Sequence, residues 1–407
     1  MAEVYKILGQ VATTDTTEEV LYTSPVSTQT LVTNITVVNR ANTAQTFDVN
    51  VYNTAKTNED VFVALASNYP GKTTAASSTD GITWTVRTLP VSAYWDSVTY
   101  GNNTFVALGG FTTAAATSTD GVTWTARTLP SDAAWFRISY GSGVFAAVAT
   151  GYVGSTAAAS STDGITWTTR TMPSNSKWRS TIYGNAVFVA VAGYTPSTNA
   201  ASSTDGITWT ARTMPVSARW MSVAYGNGVF AAVSRSSTSA ATSTDGITWT
   251  TRTLPVSADW RSVTYGSNIF VALVYGSTTA ASSTDGITWT TRTLPSSASW
   301  ISVAYGNGTF VAVATGYPGS TTAATSIDGT TWTLRTLPVE SPWKSAAFGT
   351  TSNTYTSPSL NNLYKTATIQ ANASEILEPG IVLGAQNAIV VKGTANTTFS
   401  VYGVELS

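Results

Sequence analysis

The sequence predicts an all-β protein: a seven-bladed β-propeller inserted into a β-sandwich that both chain ends build. Three observations predict it. All 14 tryptophans fall into two columns of a repeat that recurs seven times. The repeats lie 40, 43, 42, 40, 40 and 43 residues apart, and units of ~40–45 residues with several short strands each are what propeller blades require. The segments outside the repeats read as alternating strands, too few on either side to cover two sheet faces alone.

The first tryptophan column closes a Ser-x-Asp-Gly-x-Thr-Trp box, at Trp84, Trp124, Trp167, Trp209, Trp249, Trp289 and Trp332. The box aspartates are Asp80, Asp120, Asp163, Asp205, Asp245, Asp285 and Asp328. The second column opens a W-x-S-V-x-Y-G segment, at Trp95, Trp135, Trp178, Trp220, Trp260, Trp300 and Trp343. Residues 300–338 show how one unit is built. Trp300 to Tyr305 is an alternating strand, and Gly306-Asn307-Gly308 is a hairpin turn of residues that tolerate positive φ. Phe310 to Ala314 is a second strand, apolar on both faces as a strand sandwiched between neighbouring units must be. Ala323 to Ser326 is the third strand, Asp328-Gly329 the second hairpin, and Thr331 to Thr336 the fourth strand. Leu337-Pro338 is expected to end it, because proline cannot donate to a ladder.

The first F-[VA]-A-[VL] segment, at Phe62, has no W-x-S strand before it, and the last W-x-S strand, from Trp343 to Phe348, has no F-V-A-V after it. Each supplies what the other lacks. Pairing them closes a ring of seven blades over 59–348 without leaving a sheet edge. Closure puts the two ends of the ring side by side, the geometry in which a domain is tolerated as an insertion. The flanks, 1–56 and 350–407, then form one discontinuous β-sandwich of about 100 residues.

The box resembles the Asp-box of sialidases and related propellers, a hairpin between the third and fourth strands of a blade. It is one residue shorter than the usual S-x-D-x-G-x-T-W form, since Gly follows Asp directly. A residue needed seven times is scaffold: the aspartates are expected to bond back to turn amides and the tryptophans to pack between blades. The arginines of Arg-Thr-[Leu/Met]-Pro (Arg87, Arg127, Arg170, Arg212, Arg252, Arg292 and Arg335) are assigned the same role.

The flanks resemble a domain of tailed-bacteriophage virion proteins. The likeness is carried by Tyr5-Lys-Ile-Leu-Gly-Gln10, Leu21-Tyr-Thr-Ser-Pro25, Ile35-Thr-Val-Val-Asn39 and Phe399-Ser-Val-Tyr-Gly-Val-Glu-Leu406. It implies an attachment module that docks on other virion proteins, a homo-oligomer (a trimer or a multiple set by particle symmetry) and a propeller displayed from the particle. The expected location is the virion, assembled in a host cytoplasm. The N-terminus shows no basic region followed by an apolar stretch, so no signal peptide is expected, and no apolar run approaches the ~18 residues of a membrane span.

Composition narrows the chemistry. There is no cysteine and no histidine, which removes disulfides, thiolate sites and the commonest general base and metal ligand. No metal or cofactor is expected. Outside the boxes the repeats carry few acids, notably Asp96, Asp132, Asp259 and Glu340. Asp96 and Asp259 start strands in different blades, whereas a glycosidase pair needs carboxylates ~5–9.5 Å apart. No catalytic residue is assigned, and a glycan-processing enzyme is the least favoured reading.

Variation concentrates in two places that share one face of an up-down-up-down blade. The loops between second and third strands carry Tyr69, Phe111, Tyr152, Tyr194, Arg235, Tyr275 and Tyr317. The connections and first-strand starts carry Tyr94, Asp96, Phe136, Arg137, Lys177, Arg179, Arg219, Met221, Asp259, Arg261 and Lys344. With Lys72, this face holds eight basic residues against four acidic ones in a chain of net charge −1. A basic, tyrosine-rich face suits an acidic or phosphorylated surface polysaccharide, through arginine–anion forks and stacking on sugar rings. The ligand residues expected are Tyr94, Phe136, Arg137, Lys177, Arg179, Arg219, Arg261, Lys344, Tyr152, Tyr194, Tyr275 and Tyr317. Nucleic acid is not expected, for there is no dense basic groove to displace counterions. The function expected is therefore a tail-associated adhesin. The alternative is a capsid or tail decoration protein without a ligand, for which exposed loops simply gather Tyr and Arg.

Overall fold

The computed structural model describes residues 6–13, 18–23, 29–41, 43–53, 56–68, 70–151, 153–354, 361–369, 374–377, 381–383, 387–393 and 397–406. The described residues contain strands and turns and no helix. The chain divides into two compact units, Glu59–Thr351 and Met1–Asn58 with Ser352–Ser407.

In the first of these units the F-[VA]-A-[VL] segment is the pivot of each repeat. Phe188 to Val191 pairs antiparallel with Ser180 to Tyr183 on one side and with Ala200 to Ser203 on the other. Both its faces are covered. Phe188 and Ala190 pack against Ala146 and Val148 of the preceding repeat, while Val189 and Val191 pack against Phe230 and Ala232 of the following one. All four pivot residues are fully buried, and this two-sided burial is why the segment lacks polar alternation.

The box is a hydrogen-bonded hairpin. Asp80 Oδ1 accepts from the backbone N–H groups of Ile82 and Thr83, both at 2.7 Å, and from the Ser78 hydroxyl at 2.9 Å. The same Asp-to-amide bonds recur in the other six boxes. The strand arginines also act locally: each donates through Nε to a Ser or Thr hydroxyl ten residues earlier, as Arg87 does to Ser77 at 2.8 Å. The Trp of the W-x-S column is fully buried in every repeat.

Two further columns tie neighbouring repeats together. The glycine of x-Y-G lies under the aromatic ring of the next repeat: a Cβ on Gly101 would sit 2.0 Å from Tyr140, and one on Gly226 would sit 1.9 Å from Tyr265. The serine of W-x-S accepts a backbone N–H from the next repeat's first strand. Ser180 takes Val223 N at 3.2 Å, Ser222 takes Val263 N at 3.1 Å, and Ser262 takes Val303 N at 3.2 Å. These bonds link the first strand of one repeat to the first strand of the next.

Both columns run on from the last repeat into the first. Ser345 Oγ accepts from Val98 N at 3.3 Å, and Gly349 lies under the ring of Tyr100. The strand Trp343–Thr354 pairs with Lys56–Ala66, Phe348 packs on Phe62 with ring centroids 4.9 Å apart, and Ser67 N donates to the Pro342 carbonyl at 2.9 Å.

One expectation needs correction. Leu337-Pro338 does not end the fourth strand, which runs from Thr333 to Ser341. In four repeats it continues unbroken into the next first strand, as in Thr85–Gly101 and Thr210–Gly226. The prolines fall where the register skips, between Thr322↔Thr336 and Ser320↔Ser341 in the last repeat. Its missing N–H therefore costs no ladder bond, because a bulge leaves those residues unpaired.

In the other unit, both sheets mix strands from the two chain ends. One runs Lys6–Thr13, Thr397–Leu406, Gln29–Asn39 and Ser374–Leu377, with Ile381–Leu383 also paired to Gln29–Asn39. The second runs Glu18–Thr23, Asn387–Gly393, Gln45–Asn53 and Asn361–Ile369. Ile35, Val37 and Asn39 are buried at alternate positions of one strand, the period of a strand with one covered face. The two short strands Ser374–Leu377 and Ile381–Leu383 were not expected from the sequence. Tyr5, Ser24 and Pro25 of the quoted flank motifs lie outside the described residues.

Candidate functional site

The residue after each buried Trp of the second column is the extra residue of a β-bulge. The register between first and second strands shifts across it at Asp96, Phe136, Arg179, Met221, Arg261 and Ile301. Lys344 holds the same place in the last W-x-S segment. A bulge frees one residue from the ladder and re-aims its side chain. The position is therefore released from the scaffold while Trp and Ser on either side are held, and it carries seven residues of mixed chemistry where the flanking columns barely vary.

Several of these freed side chains meet. The Arg179 guanidinium lies 3.9 Å from the Phe136 ring centroid, with Arg137 at 4.5 Å and the Lys344 ammonium at 5.6 Å from the same ring. Lys344 Nζ is 3.4 Å from Asp96 Oδ1. The loop residue Tyr194 adds a second ring, 4.9 Å from Lys177 Nζ and 5.5 Å from Arg179. Asp96, Phe136, Lys177, Arg179, Tyr194 and Lys344 border a cavity of about 370 Å³ whose walls also include Tyr94 and Phe111. Tyr94 and Phe111 meet edge to face at 6.2 Å. Phe111 is exposed and has φ +55°, a left-handed conformation that a bulky residue rarely adopts and that gathers at binding sites.

Close approach shapes the site in two places. Gly110 has no side chain because a Cβ there would lie 2.5 Å from Asp96 Oδ2. Arg137 replaces the serine of the W-x-S column, so the serine-to-amide bond is missing from that repeat. The Arg137 side chain instead donates to the carbonyls of Asp96 at 2.9 Å and Phe136 at 3.0 Å, and on the other side the Ser139 and Thr181 hydroxyls meet at 3.2 Å between this strand and the first strand of the following repeat.

The charges do not balance. Arg137, Arg179 and Lys344 all feel the charge of one carboxylate, Asp96, and Lys177 lines the same cavity. Arg179 is 8% exposed and its Nε has no hydrogen-bond partner. Burial pushes its guanidinium down to about 9, the charges of Arg137 and Arg261 push the same way, and Asp96 and Tyr194 oppose them. Lys344 is lowered chiefly by burial, with Asp96 opposing and Arg137 and Arg179 adding to the shift. Aromatic faces offset part of this cost. An anion would offset far more, since a buried charge without a partner is expensive.

The structure thus brings together Tyr94, Phe136, Arg137, Lys177, Arg179, Tyr194 and Lys344. Arg261 turns to Asp259, with Nε 2.9 Å from Oδ1 and Nη2 donating to Oδ2 at 2.9 Å, and it stacks on Tyr275 at 4.8 Å. Arg235 joins the same cluster, with its Nε 3.2 Å from Asp259 Oδ1, and neither Arg261 nor Tyr275 is among the residues that line the cavity. Tyr317 is 92% exposed and is not among the residues that line the cavity. Arg219 lies in a separate depression beside Arg235. Tyr69 and Tyr152 lie outside the described residues. Sequence reasoning assigned no ligand role to Asp96, Phe111, Ser67 or Asn68, which also line the cavity. Asp96 and Phe111 were visible as variable positions, but nothing local marks Ser67 or Asn68. Among the described residues no group of three or more acids is placed to hold a metal ion.

No protein-family model and no curated protein sequence matches the chain. Solved structures do. Virginiamycin B lyase from Staphylococcus aureus is similar at 9% identity and TM-score 0.54, over 82% of this chain and 99% of that one. A streptogramin B lyase is similar at 10% identity and TM-score 0.54, over 69% and 89%. A catalytically inactive variant of the S. aureus lyase, with one histidine changed to alanine and solved with quinupristin, matches at 9% identity and TM-score 0.54, over 81% and 99%. At these identities the likeness is one of fold, that of a β-propeller.

Proposed function

We propose that this chain is a non-enzymatic structural protein of a tailed-phage virion: a seven-bladed propeller, carried by a β-sandwich made from both chain ends, that binds acidic polysaccharide on the host surface. The observation that carries the binding reading is the buried Arg179, whose Nε has no hydrogen-bond partner, in a cavity lined by three cations (Lys177, Arg179 and Lys344) and one carboxylate, Asp96. Aromatic rings beside those cations suit a ligand with both apolar sugar faces and negative charge. The flank motifs support attachment to other virion proteins and a homo-oligomeric assembly. The lyase likeness does not bring lyase chemistry with it, since loss of one histidine inactivates that enzyme and this chain has none. Asp96 and Asp259 are each engaged by cations, in separate clusters, and neither is poised as a base beside the other.

The test is binding of the purified protein to an array of bacterial surface polysaccharides at low and high salt. Acidic polysaccharides are expected to bind at low salt and release at high salt, with Arg179→Gln weakening them at least tenfold. Binding confined to neutral glycans, or to none, would leave the decoration reading in its place.

A further inference from the structure

We infer that the ligand is an extended chain carrying anionic groups along its length, held across three linked depressions by two separate arginine subsites. This rests on the polysaccharide reading above and specifies how the polymer is read.

The cavity around Arg179 does not stand alone. Lys177 also lines a second depression of about 130 Å³, where it is the only charged wall residue and where Asn175, Ser176, Thr195, Ser197 and Asn199 stand beside the apolar Val153, Ala192 and Pro196. Pro196, another wall residue of that depression, also lines a third of about 380 Å³, which holds Arg219 and Arg235. The three share walls in series, so they form one track across neighbouring repeats.

The far end of the track is itself unusual. Arg219 and Arg235 face each other directly in the ladder, and like charges placed opposite one another weaken a sheet. Asp259 is committed to Arg235 and Arg261, leaving Arg219 with no counter-ion among the described residues. Ser236, next to Arg235, is held at φ +54°, a conformation that turns the chain at the rim of this depression. The second subsite thus repeats the feature of the first, a cation kept beside others with too few carboxylates, but without its aromatic walls. A polymer with an anionic group at each end of the track and neutral sugar between them matches the sequence cation, polar, cation.

Two linked subsites make affinity depend on chain length, because the second contact forms at high effective concentration once the first has formed. The experiment compares oligogalacturonate dimers and decamers by calorimetry at low salt, with neutral maltodextrin as control. The decamer is expected to bind about 100-fold more tightly than the dimer. Arg219→Gln, which breaks no ion pair, and Arg179→Gln are each expected to bring the decamer to within a few fold of the dimer, while Arg219→Lys retains most of the gain. Equal affinity for dimer and decamer, or a decamer unaffected by Arg219→Gln, would overturn the extended track and leave acidic-glycan binding standing. Failure of both oligomers to bind, while the array shows acidic polymers bound, would overturn carboxylate recognition by the track. Failure on the array as well would remove the binding reading itself.

Discussion

Tyr100 rests on Gly349: a Cβ on that glycine would lie 2.3 Å from the tyrosine ring, and the Tyr100 hydroxyl donates to the Thr350 carbonyl. The same relation links Gly101 to Tyr140 and Gly306 to Phe348, so the last repeat meets the first through the contact that joins every other pair of neighbours. The ring is held shut by ordinary repeat-to-repeat packing together with the pairing of Trp343–Thr354 to Lys56–Ala66.

Gly349→Ala is expected to destabilise the protein by about 1–3 kcal/mol, the cost of forcing a methyl into a filled contact. Chemical denaturation checks this. An unchanged midpoint would mean that the closing contact is slack and that the ring is held elsewhere.

Trp209 sits in the inter-repeat cluster with Phe188, Ala190 and Ala201. Trp209→Ala should cost about 3–5 kcal/mol by opening a cavity that neighbouring strands cannot fill. Thermal unfolding measures it, and a loss below about 1 kcal/mol would refute the core role of the box tryptophans.

Acid should unfold the protein from a definite point. Burial raises the box carboxylates, but bonds from the amides two and three residues on and from the box serine outweigh it, so all seven lie below the ordinary 3.8. A group lowered in the fold contributes its full stability above its unfolded value and loses it as pH falls toward the folded one. The melting temperature is therefore expected to be flat from pH 7 to 5 and to fall steeply below about pH 4. A decline beginning near pH 6 would point to other groups.

Arg137→Ser restores the column residue at the one repeat that lacks it. The fold should lose the two carbonyl bonds of Arg137 and regain a serine-to-amide bond, leaving stability within about 1 kcal/mol. Polyanion binding should weaken severalfold, because one of the cations on Phe136 is gone. Full binding by a stable Arg137→Ser protein would show that Arg137 serves only the scaffold.

Much of the scaffold was legible because each repeat solves the same local problem. Box, pivot strand and aromatic columns recur, so each role can be read off several copies. The proline was misread because its effect depends on register: the sequence marks a missing donor but not the bulge that makes the donor unnecessary. The serine of W-x-S went unexplained for a similar reason, since its partner amide lies on another repeat, some 41 residues away in the case of Ser222 and Val263.

The candidate site was legible as a set of variable positions and illegible as a constellation. Asp96, Phe136, Arg179, Arg261 and Lys344 are equivalent by sequence, each the residue after a buried tryptophan. Period and composition determined by themselves the core strands of each repeat and the box hairpins, because those follow from local hydrogen bonding and alternation, and the pairing of the two half-units, because each lacks what the other supplies. Only the tertiary structure decided that Phe136, Arg179, Lys344 and Asp96 converge while Arg261 turns aside to Asp259. That outcome depends on bulges that re-aim side chains and on ring closure, which brings position 344 beside position 96. Electrostatic pairing at a few ångströms is settled by such distances, and no spacing along the chain encodes them.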